Sequence, residues 1–183
     1  MPETATRPRT GTWKLDPAHT FVRLWARHMG VARVRGRFES FRGTLEIADT
    51  IEESSVGVTI DADSLDTGVE DRDRHLKSAD FLDVENHPNL EFSSTAVRQT
   101  GSGYEVDGDL TIRGDTRPLT LEVEFDGVVE DPWGNEKAIF TAEATIDRED
   151  WGLTWNQVLE TGNLLVGRKV HIEIEAQAQP ADQ

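Results

Sequence analysis

The stretch YEVDGDLTIR at residues 104–113, followed after five residues by LTLEVEFD at 119–126, decides the fold. In both runs, apolar and polar residues alternate. Successive side chains of a β-strand point to opposite faces, so this period of two predicts two strands with one dry and one wet face. The intervening residues, GDTRP, are of the types that turns favour. Together the two runs predict an antiparallel hairpin.

The same alternation continues on both sides of this hairpin. Short segments rich in Gly, Pro, Asp and Asn separate most of the runs, as expected for tight turns. About eight strands joined in this way predict an all-β protein, an eight-stranded antiparallel up-and-down (lipocalin-like) barrel with a short helical insert at one end. The further runs are 19–28, 55–61, 90–98, 138–147 and 170–176.

Residues 19–28 carry apolar side chains on both faces. We assign the face that holds Val22, Leu24 and His28 to the barrel interior, which leaves Phe21 and Trp25 outside, covered by the N-terminal tail or a partner subunit. Many predicted inward positions are small. Two interpretations stay open: a hollow bore that holds one slender ligand, or a core in which large residues fill the gaps. The small positions are Ala26, Ser94, Ala96, Gly108, Ala142, Ala144 and Ala176.

The 29 residues from 61 to 89 are too many for a hairpin loop. We expect a helix from Val69 to Lys77 with Val69 and Leu76 on one side. A second helical turn is expected over 78–84, capped by Ser78 and ended by the AsnHisPro sequence at 86–88. Such an insert closes one end of a barrel.

The formal net charge of −16 argues against binding to nucleic acid by the molecule as a whole. The charge is uneven, because residues 1–42 hold nine Lys/Arg and three Asp/Glu, a local +6 that leaves −22 for the rest. Either a basic face or scattered ion pairs would explain this. The absence of cysteine excludes disulfides and thiolate chemistry.

We predict a flexible N-terminal tail at 1–10, one barrel domain at 11–178 and a short C-terminal tail at 179–183. The N-terminal residues show no apolar signal region, and no run is long enough to span a membrane. The expectation from these features is a cytoplasmic protein.

Seven segments along the chain form one ordered set. They are DPAHT (16–20), VRGRF (34–38), SLDTG (64–68), RDRHLKSADFLD (72–83), LTIRGDTRPLTL (110–121), DPWG (131–134) and IDREDWGL (146–153). In register, these segments resemble the YceI-like, polyisoprenoid-binding family over residues 11–178. The resemblance implies a lipocalin-like barrel that holds a long isoprenoid-type lipid, and it makes a homodimer plausible. Two features depart from the family: there is no signal peptide, and Arg168 and Lys169 precede the last strand where an acidic residue is common.

A lipid site needs a dry tunnel for the tail and polar groups at the mouth for the head. Arg72, Arg74, His75 and Lys77 are candidates for an anionic head, or they solvate the surface of a lid. A quinone-like head would need few charges, and His28 is a candidate partner for it. The residues predicted to line or cap the bore are Val22, Leu24, Val58, Ile60, Phe81, Leu82, Phe92, Leu110, Leu121, Val123, Phe140, Ile172 and Ile174.

Three functions remain open. The favoured one is non-enzymatic binding, storage or transport of a long-chain isoprenoid-type or other hydrophobic lipid, with no cofactor and no metal. The second is a filled barrel that acts through its surface as a stress-associated or partner-binding protein. The third is an enzyme that acts on a hydrophobic substrate, which would need an acid–base pair inside the bore.

Overall fold

A computed structural model describes residues 7–183 of the chain. Strands dominate it, with one α-helix and short 3-10 turns at 51–53, 62–64 and 148–151. The elements are β1 (Gly11–Leu15), β2 (Phe21–His28), β3 (Ala32–Phe38), β4 (Phe41–Ile47), β5 (Ser55–Asp61), β6 (Leu65–Asp66), α1 (Glu70–Lys77), β7 (Asn89–Gln99), β8 (Tyr104–Ile112), β9 (Asp115–Glu130), β10 (Glu136–Asp147) and β11 (Val166–Pro180).

The strands form a closed antiparallel barrel with eight positions around its wall. The long strand β11 pairs with β2 along its first part and with β1 at its end, so β1 and β2 occupy one position in succession. The successive strands β3 and β4 share the next position, because β3 pairs with β2 and β4 with β1. The β1–β11 pairing closes the wall and confirms the predicted fold class.

A bulge in β7 corrects one predicted position. The register between β7 and β8 shifts between Ser94 and Ala96, so the alternation reverses at this point. Val97 is therefore buried and pairs with Val106, whereas Ala96 pairs with Asp107 on the outer face. The prediction that Ala96 points inward was wrong, because an extra residue in one strand flips every side chain beyond it.

The insert contains the predicted helix but not the second helical turn expected after it. Helix α1 begins at Glu70, and Val69 precedes it with an exposed side chain, so Val69 does not share a buried side with Leu76. Residues 78–84 form hydrogen-bonded turns instead of the predicted helical turn. The Ser78 hydroxyl donates to the carbonyl of His75 and accepts from the backbone of Asp80, which ends α1 and begins the turns.

The lower end of the barrel, where β1 begins, is closed by Trp13. Its indole lies against Ile47, Ala138 and Ala178, all buried, and donates a hydrogen bond to the carbonyl of Arg9 at 3.0 Å. Burial of this ring anchors the first described residues to the wall. Residues 7–10 form no helix or strand, so the flexible tail expected at 1–10 stays a prediction, and residues 1–6 lie outside the described part.

The last strand also runs further than the predicted domain boundary at 178. Strand β11 continues to Pro180, which is buried and pairs with Trp13 across the β1–β11 closure. The final residues of the chain therefore contribute to the seam that closes the barrel.

Candidate ligand-binding site

The inward face of the barrel is apolar around its whole circumference. Its midsection side chains pack against the core cluster yet keep part of their surface accessible to water, although the wall around them is closed. Inward side chains in a filled barrel would bury one another completely. Their partial exposure favours the interpretation of a hollow bore, and these positions include Leu24, Val58, Ile60, Leu119, Leu121, Val123, Val170, Ile172 and Ile174.

Small residues on two strands widen this space. Gly108 in β8 lies directly under the ring of Phe92, where an added Cβ would overlap the ring. Phe92 therefore lies flat against the wall instead of crossing the bore. On β10, Ala142 and Ala144 face inward and pair with Ile174 and Ile172 of β11, so the middle of this strand, between Phe140 and Ile146, presents only methyl groups to the interior.

The upper mouth is closed by apolar side chains from two segments that follow strands. Phe81 and Leu82 of the insert, the residues expected to cap the bore, are buried. Trp151 and Leu153, from the segment after β10, are buried beside them, and the Trp151 indole donates to the carbonyl of Leu110 at 2.8 Å. The upper closure is thus made of loops and turns, whereas the lower closure is built from strand residues.

Arg148 fixes the upper closure, a role that sequence reasoning missed. Its guanidinium is buried and donates to the carbonyls of Leu153, Trp155, Val166 and Gly167 at 2.6–3.2 Å. Burial lowers the pKa of Arg148 from its ordinary value, while neighbouring carboxylates raise it. The available signal was the arginine inside the quoted IDREDWGL segment, but alternation alone gives no reason to bury it.

The four basic residues of the insert all have partners within the protein. Arg72 donates to the hydroxyl and carbonyl of Thr67, and Arg74 pairs with Glu70 and Asp71 on its own helix. These contacts favour the interpretation of a solvated lid surface. The other two pairs are His75 with Asp80 and Lys77 with Asp63.

Both candidate histidines lie at the upper mouth. The imidazole of His75 packs edge-on against Trp155 and Phe81, with ring centroids 4.5 and 5.2 Å away. His28 ends β2 and pairs with Val166, whose carbonyl accepts from Arg148. The mouth of the barrel therefore carries two imidazoles and a guanidinium that already donates to four carbonyls.

Most of the predicted apolar site residues belong to, or pack against, one cluster inside the barrel, and the predicted bases lie at its rim. Val22, Phe92 and Leu110 are buried, and Phe140 belongs to the lower cluster with Phe125. Arg74 points away from the bore toward its own helix. Whether any of these residues binds a ligand stays a prediction.

Other features of the described residues fall outside the bore. A surface groove of about 480 Å³ lies beside α1, and its lining is charged. Among residues 7–183, no cluster of His, Asp and Glu is arranged to hold a metal ion. No described helix is both long and apolar enough to cross a bilayer.

Fold and site together define a small, closed β-barrel with an apolar interior and a mouth covered by a helical insert. The chain belongs to the YceI family, since a YceI-like domain matches residues 13–178. Protein YceI of Escherichia coli O17:K52:H18 is 39% identical over 144 residues, which cover 77% of this chain and 75% of that protein. The resemblance inferred from the sequence is therefore confirmed.

Solved structures share the fold. BcnA of Burkholderia cenocepacia superposes with a TM-score of 0.75 at 24% identity, covering 89% of this chain and 98% of that one. A polyisoprenoid-binding domain from Saccharophagus degradans superposes with a TM-score of 0.64 at 12% identity, covering 92% and 98%. At these identities the likeness describes the architecture.

Proposed function

We propose that this protein binds one linear hydrophobic molecule of the isoprenoid type along the barrel axis and stores or transports it. The observation that carries the proposal is the ring of inward apolar side chains in the midsection that stay partly accessible inside a closed wall. Membership of the YceI family supports it, as does the structural likeness to a domain described as polyisoprenoid-binding.

The driving force is the removal of apolar surface from water on both sides of the contact. Each buried carbon of such a chain contributes about 0.8 kcal/mol, so three or four isoprene units supply enough free energy to offset the cost of association. The described interior adds no penalty from unpaired groups, because every buried side-chain nitrogen or oxygen of residues 7–183 has a hydrogen-bond partner. Affinity is therefore expected to come from the tail.

The head group is expected to be neutral or weakly polar. Arg72 and Arg74 are engaged by Thr67 and by acids of α1, so an anionic head would have to displace these partners. The imidazole of His28 at the mouth suits a hydroxyl or carbonyl oxygen, whereas that of His75 is engaged by Asp80. Uncharged lipids such as isoprenoid alcohols or quinones fit this arrangement.

Native mass spectrometry of freshly purified protein, followed by organic extraction, tests the proposal first. Titration with geranylgeraniol and with its diphosphate then compares a neutral and a charged head on the same tail. We expect one ligand per chain and similar affinities for the two compounds. A much tighter diphosphate complex would restore the anionic-head hypothesis, and failure of both compounds to bind would overturn the carrier function.

A further inference from the structure

The β2–β3 hairpin has an unusual charge for a protein of net charge −16. Residues 21–38 contain five arginines and no acidic residue. All five side chains are exposed on the outer face, and the antiparallel register sets Arg23 opposite Arg37 and Arg27 opposite Arg33. Like charges placed directly across a ladder destabilise a sheet, so ordinary packing gives no reason for this arrangement.

Ion pairing divides this hairpin into two halves. Near its base, Arg23 pairs with Glu175 at 3.3 Å, and Arg37 pairs with Glu39 at 2.8 Å. Toward the turn the pattern changes. Among residues 7–183, no carboxylate forms an ion pair with the remaining arginines, which are Arg27, Arg33 and Arg35.

Contacts with Trp25 hold two of the three unpaired arginines in place. The guanidinium of Arg33 lies 4.1 Å from the centroid of the Trp25 ring, and that of Arg27 lies 5.8 Å from it. Arg27 also donates to the carbonyl of Val31. His171 stacks on the indole with ring centroids 3.7 Å apart. The cations are thereby kept on the wall without being neutralised.

The turn above these arginines exposes apolar side chains. Val31 is 76% exposed and Met29 45% exposed. The neighbouring loop at 156–165 adds Val158 and Leu164, at 69% and 41%. The two tips are joined, because the backbone of Met29 donates to the carbonyl of Leu165 at 2.9 Å. We call the side chains of Met29, Val31, Val158 and Leu164 the apolar tip.

A second exposed apolar site provides a contrast at the opposite end of the barrel. Trp133 is 84% exposed and Val129 54% exposed around the β9–β10 turn. Acids surround them, since residues 124–136 contain five Asp/Glu and no Lys or Arg. Of these two exposed sites, the apolar tip at the mouth is the one combined with uncompensated positive charge.

We propose that the apolar tip and the unpaired arginines beneath it form a docking surface for a bilayer that contains anionic phospholipid. Apolar side chains enter the boundary between head groups and acyl chains, while arginines bind the phosphates with their guanidinium donors. The surface lies at the same end as the mouth of the bore. Docking requires no bound ligand, so this proposal goes beyond the proposed function and is tested independently of it.

The strong negative charge of the molecule does not prevent this contact. Strand β11 has 15 residues, so a rise of about 3.3 Å and a tilt of about 40° make the barrel roughly 38 Å long. Screening acts over about 8 Å at physiological ionic strength. The acids around the β9–β10 turn are therefore several screening lengths from the bilayer, while the acids of the insert lie at the mouth and are partly neutralised by Arg74, His75 and Lys77. The loop at 156–165 carries a single acid, Glu160.

Vesicle co-sedimentation tests the surface. We expect the intact protein to bind vesicles of phosphatidylcholine with 30% phosphatidylglycerol, and to bind pure phosphatidylcholine much more weakly. An arginine near such a surface strengthens binding about fivefold, so R33Q/R35Q should weaken it about 25-fold. The control K14Q/R42Q removes the same charge from exposed positions on β1 and β4, and it should bind as the wild type does.

A second pair of variants isolates the apolar contribution. V31S/L164S should weaken binding about tenfold with the salt dependence preserved, whereas V129S at the acidic end should leave it unchanged. Equal effects of test and control variants would overturn the proposal, as would binding indifferent to phosphatidylglycerol. Two other results would assign the docking surface to a different partner and overturn the proposal. One is preferential binding of single-stranded DNA, and the other is a dimer in light scattering that R33Q/R35Q abolishes.

Discussion

Replacing Ala144 by phenylalanine tests whether the bore is open, with one variant that distinguishes a hollow barrel from a filled one. Ala144 faces inward on β10 and pairs with Ile172. It lies six residues above Ala138, which belongs to the lower closure. At about 3.3 Å per residue and a tilt of about 40°, roughly 15 Å of bore lies below it.

A phenyl ring at this level would exclude a ligand tail from the lower bore. Losing even one five-carbon unit from the apolar contact costs about 4 kcal/mol, equivalent to about a thousandfold in Kd. The added ring itself enters unfilled space. The free energy of unfolding should therefore stay unchanged or rise slightly.

The assay is a titration of the Ala144→Phe variant with geranylgeraniol, combined with urea unfolding of the same samples. T141F serves as the control, because Thr141 lies on the same strand with its side chain exposed. If the barrel were filled, the ring added at Ala144 would overpack it and lower stability by about 1–3 kcal/mol. That loss of stability, together with an unchanged Kd, would refute the hollow-barrel argument.

Three further predictions concern stability. Arg148→Met removes the donors to four carbonyls around the mouth, so it should lower the free energy of unfolding by about 3 kcal/mol in urea titrations. Arg148→Lys should recover only part of this stability. Wild-type stability of the Met variant would contradict the structural role. Glu143 lies directly across from Glu122 on β9 and Glu173 on β11. Because these like charges repel, Glu143→Gln should stabilise the fold by up to about 1 kcal/mol, and this gain should shrink in 1 M salt. A loss of stability at low salt would show that repulsion is not the dominant effect. The hydrogen bond from Arg98 lowers the pKa of Asp107 from 3.8 to about 2. The contribution of this carboxylate to folding stability is therefore complete above pH 4 and is lost as the pH falls through 2. NMR titration of the carboxyl group checks the value, and an Asp107 pKa near 3.8 would contradict the pairing.

The closed barrel could be predicted from the sequence because alternation is a local signal. Residues 104–126 alone indicate a hairpin with one dry face, and repetition along the chain leaves few ways to bury that face. Short strands were harder to predict. Strand β1 spans only Gly11–Leu15, and β6 has two residues, so neither shows enough periods to be recognised.

The candidate site was predictable only as far as the alternation holds. Inward residues such as Leu121 and Ile172 follow from their own strands, and both lie against the core. The prediction for Ala96 was wrong because the bulge in β7 depends on pairing with β8, which the sequence of one strand does not indicate. The partners of Arg72 and Arg74 also needed the structure, because the spacing of acids and bases allows many pairings.

The sequence by itself determined the class of fold, the identity of most inward residues and the membership of the YceI family, because strand period and motif order are local properties of the chain. The tertiary structure alone decided which charges are neutralised. Arg148 donates to carbonyls of the segment after β10 and of β11, Arg23 and Arg37 pair with acids, and Arg33 lies over Trp25 without a carboxylate partner among the described residues. Charge pairing depends on distances between strands and loops far apart in the chain, and those distances exist only once the barrel has closed.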